Sequence, residues 1–169
     1  MPKQKLRIWA KEERTKLDIQ ALSDLLVSKL RSLDCYIQAK NVMLFYPLES
    51  EINLLDLLND ADKNFYLPKI EEQNLLCCPF KKDDELCESC FKTKEPLSDG
   101  VEKTILDLVI VPALVVDKNG YRLGYGKGFY DRFLKDIDCP KIVCISKKLV
   151  VDEIFSEDND IPVDIVITD

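Results

Sequence analysis

The sequence predicts an α/β fold: one domain over residues 1–169, built on an open, mostly parallel sheet with helices on both faces. Three observations carry this. The apolar runs at 42–46, 105–111, 142–145 and 163–168 are short and bounded like strands. Within 105–111, Ile-Leu-Asp-Leu-Val-Ile-Val is β-branched and nearly continuous, the pattern of a central strand covered on both faces. A helical pattern between two early strands gives the β-α-β succession that builds parallel sheets. With 169 residues and 46% apolar content, the chain has room for one sizeable core.

Taken in order, residues 3–17 have helical periodicity. At about 100° per residue, Lys3, Arg7 and Arg14 fall within roughly 40° of one another. Leu6, Trp9, Ala10 and Leu17 form an apolar stripe beside them. Periodicity alone favours a solvated charged face for the basic edge. Leu22, Leu25, Leu26, Leu30 and Leu33 mark a second helix, with a break near 17–19 that no Gly or Pro signals. A strand at 42–46 ends at Pro47, and a helix over 52–58 follows with Asn53 as its cap. A strand at 64–68 is closed by Pro68, and another spans 75–80. Residues 70–104 otherwise read as peripheral strand and loop. After the central strand come a segment at 113–117, an Asn119-Gly120 turn and a helix at 129–135. Strands at 142–145 and 163–168 flank an acidic loop over 152–160.

Composition narrows the chemistry. A net charge of −7 argues against broad nucleic-acid binding but leaves room for a small anion in a local basic pocket. No apolar run approaches the roughly 20 residues of a membrane span, and the N-terminus lacks a signal-peptide core, so a cytoplasmic protein is expected. With no histidine, His-based triads, general bases and metal sites are ruled out. Chemistry resting on positioning and electrostatics, above all phosphoryl transfer, fits such a chain. The seven cysteines read as reduced thiols. Cys87 and Cys90 form a Cys-x-x-Cys pair, but the adjacent Cys77 and Cys78 cannot easily both reach one zinc ion.

Residues 120–131, Gly-Tyr-Arg-Leu-Gly-Tyr-Gly-Lys-Gly-Phe-Tyr-Asp, hold four of the chain's five glycines. Alternating glycines expose successive N–H groups, Arg122 and Lys127 add positive charge, and the stretch runs into a helix start, which suits a phosphate. It follows the carboxyl end of the central strand, where open α/β sheets bind ligands.

This stretch, with 111–113 before it and Arg132 after it, resembles the 5-formyltetrahydrofolate cyclo-ligase family, also called methenyltetrahydrofolate synthetases. The likeness extends to Lys3, Leu6 and Arg7, to Phe45-Tyr46-Pro47 and Glu51, to Leu67-Pro68, and to Asn159-Asp160 with Val163-Asp164. It implies a ligase that closes 5-formyltetrahydrofolate to 5,10-methenyltetrahydrofolate with Mg-ATP, releasing ADP and phosphate. ATP would phosphorylate the formyl oxygen, N10 would attack the activated carbon, and phosphate would leave.

Carried over by position, Lys3, Gln4, Lys5, Leu6 and Arg7 would bind ATP, together with Arg122, Leu123, Gly124, Tyr125, Gly126, Lys127, Gly128, Phe129 and Tyr130. Arg122 and Lys127 would be the catalytic clamp on the transferring phosphoryl group. Tyr46 and Glu51 would contact folate, along with Tyr125, Gly126, Lys127, Gly128 and Phe129. Asp131 and Asp160 would hold Mg2+, whose hard-oxygen preference they suit. On residue type alone, Asp131 also reads as a helix-start carboxylate, Asp160 as solvated surface and Tyr46 as a packing residue. Against the family pattern, Tyr125 replaces a common Arg and Phe129 a usual Tyr. The expected partners are ATP and 5-formyltetrahydrofolate, with no nucleic acid and no membrane, and the chain is expected to be a monomer. Two other readings remain at this point: a folate- or nucleotide-binding protein without turnover, and a phosphosugar-handling enzyme on a similar sheet.

Overall fold

The computed structural model of the chain describes residues 1–91 and 93–169. Two helices open it, α1 (Lys3–Arg14) and α2 (Ile19–Arg31), followed by the short α3 (Asp34–Gln38). Asp18 makes the break between the first two: its carboxylate accepts from the Ala21 N–H at 3.1 Å and caps α2. Strand β1 (Asn41–Met43) leads to β2 (Asn64–Glu71), which turns back into β3 (Asn74–Phe80). A small hairpin, β4 (Leu86–Glu88) and β5 (Lys94–Pro96), precedes β6 (Leu108–Ile110), β7 (Val115–Asp117) and β8 (Arg122–Leu123). Helix α4 (Phe129–Leu134) and strands β9 (Lys141–Cys144), β10 (Val150–Val151) and β11 (Ile165–Ile167) complete the order. No helix among the described residues is long and apolar enough to cross a membrane.

The main sheet has the order β11-β9-β6-β1-β2-β3 and is parallel except for the β2–β3 hairpin. Side chains alternate across it, so each strand serves two cores. Met43, Val109 and Val143 pack with Leu6 and Ala10 of α1 and with Phe133 and Leu134 of α4. Val42, Leu108 and Ile142 face the other way, against Leu22, Leu26 and Leu30 of α2 and Tyr36 of α3. Helices therefore cover both faces, which is why the central strands read as continuous apolar runs.

Several sequence expectations change in detail. The first helix stops at Arg14 and the first strand at Met43, and no α-helix forms over 52–58. Only a 3-10 stretch, Leu55–Asn59, forms there. Asn53 donates its N–H to Ser23 Oγ on α2 and accepts the Leu55 N–H, so its local bonds compete with a helical ladder. Arg31 then ties down Asp56 and Asp60. Strand β2 runs past Pro68 to Glu71, because β1 has already ended and the missing proline N–H has no partner to serve. The central strand shrinks to Leu108–Ile110: residues 103–105 form a 3-10 turn, and the Asp107 carboxylate accepts from the Lys40 and Asn41 N–H groups. The expected segment at 113–117 supplies β7, which lies outside the main sheet. A second sheet, β10-β7-β8, intervenes and supplies Arg122 from β8.

Candidate active site

The glycine-rich stretch is aimed by a buried carboxylate. Asp117, at the end of β7, accepts the Asn119 and Tyr121 N–H groups through Oδ1 and the Ile154 N–H through Oδ2. These three bonds fix the turn and send β8 back antiparallel to β7. Beyond β8 the loop rims a cleft of about 1000 Å³. Gly128 sits at φ 72°, the left-handed region that glycine enters without steric cost, and α4 begins immediately after it. With only six residues, α4 adds little dipole, so positive potential in the cleft must come from side chains and loop N–H groups.

Helix α1 brings its basic edge to this loop. Arg7 Nε donates to the Gly124 carbonyl at 2.9 Å, and Arg14 Nη1 donates to the Tyr125 hydroxyl at 2.9 Å. Lys3 Nζ lies 3.2 Å from Glu157 and 3.4 Å from Asp160, bridging to the acidic loop. The edge is thus not a solvated face. The predicted run along α1 divides, however: Lys3 and Arg7 line the cleft, whereas Gln4, Lys5 and Leu6 do not. Gln4 and Lys5 are exposed away from it and Leu6 is buried in the core, because a helix presents to one side only every third or fourth residue.

Arg122 is the unusual cation of the site. Its side chain is only 6% exposed, yet its nearest carboxylate, Asp131, is 3.7 Å away. Nη1 makes a long 3.4 Å bond to the Pro112 carbonyl, and buried Nε has no partner among the described residues. The guanidinium lies 5.3 Å from the Tyr130 ring centroid. Burial pulls its pKa down and Asp131 pushes it back up. The group stays charged. A buried cation with so few neutralising contacts favours an incoming anion. Lys127, by contrast, is exposed at the loop's crest.

On the opposite wall stand Tyr46 and Glu51. Glu51 is 6% exposed and accepts the Leu48 N–H at 2.8 Å through Oε1. Burial raises its pKa, while that bond and the Arg14 charge lower it. Leu123, Gly124, Tyr125, Gly126, Phe129 and Tyr130 also line the cleft, so the loop and the two wall residues meet around one space.

Asp131 and Asp160 are neighbours there. Asp131 Oδ1 accepts the Ile161 N–H, and Asp160 Oδ2 accepts the Glu157 N–H. The second oxygen of each carries no protein hydrogen bond among the described residues. No cluster of three or more acidic or thiol side chains able to hold a metal occurs among them either. Two hard carboxylates on the cleft wall fit Mg2+, which takes one or two protein carboxylates and completes its shell with water and ligand oxygens.

Sequence reasoning missed one wall. The β4–β5 hairpin leans over the cleft, with the Phe91 ring edge-on to Phe129 at 5.9 Å and Lys94 Nζ 5.8 Å from the Tyr46 ring centroid. Weak periodicity in 70–104 hid it. It also missed Arg14 as a site contact, although its spacing from Lys3 and Arg7 was the available signal.

The chain is also similar to known proteins over most of its length. A model of the 5-formyltetrahydrofolate cyclo-ligase family matches residues 2–169. The chain is 28% identical to the 5-formyltetrahydrofolate cyclo-ligase of Escherichia coli K12 over 180 residues, covering 99% of this chain and 96% of that one. It is 32% identical to the Haemophilus influenzae protein of the same name over 108 residues, 59% of this chain and 58% of that one. The NMR structure of Aquifex aeolicus 5,10-methenyltetrahydrofolate synthetase superposes with a TM-score of 0.87 at 31% identity, covering 99% of this chain and 90% of that one.

Proposed function

The chain belongs to the 5-formyltetrahydrofolate cyclo-ligase family, and we propose that it is the ligase that closes 5-formyltetrahydrofolate to 5,10-methenyltetrahydrofolate at the expense of ATP. The observation that carries this reading is the pairing across one cleft of an anion-seeking wall, Arg122 with the glycine loop, and a carboxylate wall at Glu51. The first suits the phosphates of ATP. The second suits the amino and ring N–H donors of a pterin.

The formyl oxygen of the substrate is a poor leaving group. Transfer of the γ-phosphoryl group to that oxygen, with ADP departing, makes the formyl carbon electrophilic. N10 then attacks the carbon and gives up its proton, the ring closes, and inorganic phosphate carries the former formyl oxygen away. The protein's part is to hold donor and acceptor in line and to neutralise charge as it moves. Arg122 is already desolvated beside the loop, so its charge acts on the phosphoryl oxygens with little reorganisation. Lys127 at the crest can follow the γ-phosphate. Lys3 and Arg7 position the nucleotide from α1, and the aromatic walls at Tyr46, Phe129 and Phe91 limit water around the activated intermediate. Asp131 and Asp160 would hold Mg2+, which supplies charge neutralisation on the phosphate oxygens.

The test is formation of methenyltetrahydrofolate, read by its near-ultraviolet absorbance, in folded protein given substrate and Mg-ATP. An ATP-dependent signal is expected. Its absence would remove the enzyme reading and leave a binding protein without turnover. Asp131→Asn is expected to raise the Mg2+ concentration needed for half-maximal rate. An unaltered magnesium titration would take Asp131 out of the metal site.

A further inference from the structure

Arg14 belongs to neither the nucleotide nor the folate residues assigned so far, yet it is a buried cation at the back of the cleft. Two of its three guanidinium nitrogens are divided between two jobs. Nη2 donates to the Ala113 carbonyl at 2.8 Å, just before β7, which fixes the head group against the backbone. Nη1 then reaches the Tyr125 hydroxyl at 2.9 Å. The Tyr125 ring is half exposed, so one face can meet a ligand while its hydroxyl is held from behind. Arg14 and Glu51 also line the same small cavity of about 20 Å³ behind the cleft, with Phe45 and Ser146 on its other sides.

We propose that Arg14 is a positioning residue for the folate side of the cleft, pinning Tyr125 by a hydrogen bond and supporting Glu51 as a carboxylate by its charge. This rests on the folate reading of that wall given above. Neither Arg14 nor Glu51 has a salt-bridge partner within 4 Å among the described residues, so the support is through space. The other titratable or charged groups around this wall are the phenols of Tyr125 and Tyr130, Arg122 against the Tyr130 ring, and Lys94 above Tyr46 on the hairpin side. Both phenols have their pKa pushed upward by burial and stay neutral near neutral pH. Burial favours the acid form of Glu51, and Arg14 together with the Leu48 N–H bond opposes it. The ionised carboxylate accepts two pterin hydrogen bonds, whereas the acid form accepts poorly and offers a competing donor. Folate binding should consequently fall away on the acid side, and Arg14 should set how far toward acid it survives.

Equilibrium dialysis of 5-formyltetrahydrofolate without ATP, from about pH 5.5 to 8.5, tests this on the full chain. Arg14→Gln is expected to move the pH of half-maximal folate binding upward by about one unit. Its affinity should recover at the alkaline end to about the level of Tyr125→Phe, and ATP binding should change less than about twofold. Arg14→Lys preserves the charge and should leave that midpoint near wild type. Its folate affinity should weaken to about the level of Tyr125→Phe, which loses the hydroxyl alone. A folded Arg14→Gln protein with an unmoved midpoint overturns the proposal. So does an equal loss of ATP and folate binding at every pH, which marks a merely structural arginine. If Arg14→Gln does not fold, Arg14→Lys decides. The wild-type midpoint with Tyr125→Phe-like affinity supports the proposal, and any other combination overturns it. Wild-type protein that binds no folate at any pH defeats the folate reading itself and this inference with it, an outcome distinct from an unmoved midpoint.

Discussion

Arg122 and Lys127 carry the same charge into one cleft, but their surroundings give their loss different consequences. Arg122 is desolvated, 3.7 Å from its nearest carboxylate and short of one hydrogen-bond partner among the described residues. Burying a cation that way costs the fold stability that an apolar chain of similar length would not. Arg122→Met is expected to leave thermal stability unchanged or raised by about 1 kcal/mol. The same change should cut turnover by at least about a hundredfold, as removal of a preorganised charge does. Parallel melting curves and rate measurements check this, and a large fall in melting temperature would show that Arg122 serves the fold. Lys127 is exposed. Lys127→Ala should cut turnover about tenfold or more, roughly 1.4 kcal/mol of transition-state stabilisation, with the melting curve unmoved. An unchanged rate would take Lys127 out of the clamp.

Among the elements, the β4–β5 hairpin and α1 show what a sequence discloses and what it withholds. The hairpin is anchored by Glu95, buried at 9% exposure, whose Oε2 accepts the Ile70 N–H at 2.7 Å. That bond ties its base to β2 and carries Phe91 out over Phe129. Nothing local marks this, since Leu86–Glu88 and Lys94–Pro96 have no alternating pattern and only the tertiary pairing makes them a wall. The spacing of Lys3, Arg7 and Arg14 was legible because helix geometry alone puts them on one edge. What that edge faces was not, because the loop it meets lies more than a hundred residues away. The glycine-rich stretch was legible for a chemical reason: in a chain with five glycines, four within twelve residues need a backbone explanation. Phe91 is exposed and contributes little to the core. Phe91→Ala should therefore raise the KM for folate by about two- to tenfold, the worth of one aromatic contact, while kcat and melting temperature hold. Unchanged KM would mean that the hairpin stands clear of the substrate.

At the scale of the molecule, the site exists only because distant parts of the chain are clasped together at Gly120. Its φ of 87° is in the left-handed region, and an added Cβ would collide with the Val163 carbonyl oxygen. The Gly120 carbonyl in turn accepts the Val163 N–H at 2.8 Å. This contact seats the acidic loop beside the glycine loop, so that Asp160 stands near Asp131 and Lys3 can reach over from α1. Parallel pairing of β11 with β9 continues the same segment into the main sheet. Gly120→Ala strains the turn and pushes the two segments apart at once. We expect a loss of about 2 kcal/mol, or roughly 4–8 °C in melting temperature for a chain of this length, with turnover and Mg2+ affinity falling together. The coupling separates this variant from Lys127→Ala, which should lose rate without stability. A Gly120→Ala protein that melts with the wild type would show that the backbone relaxes without parting the loops, and that the clasp is not what assembles the site.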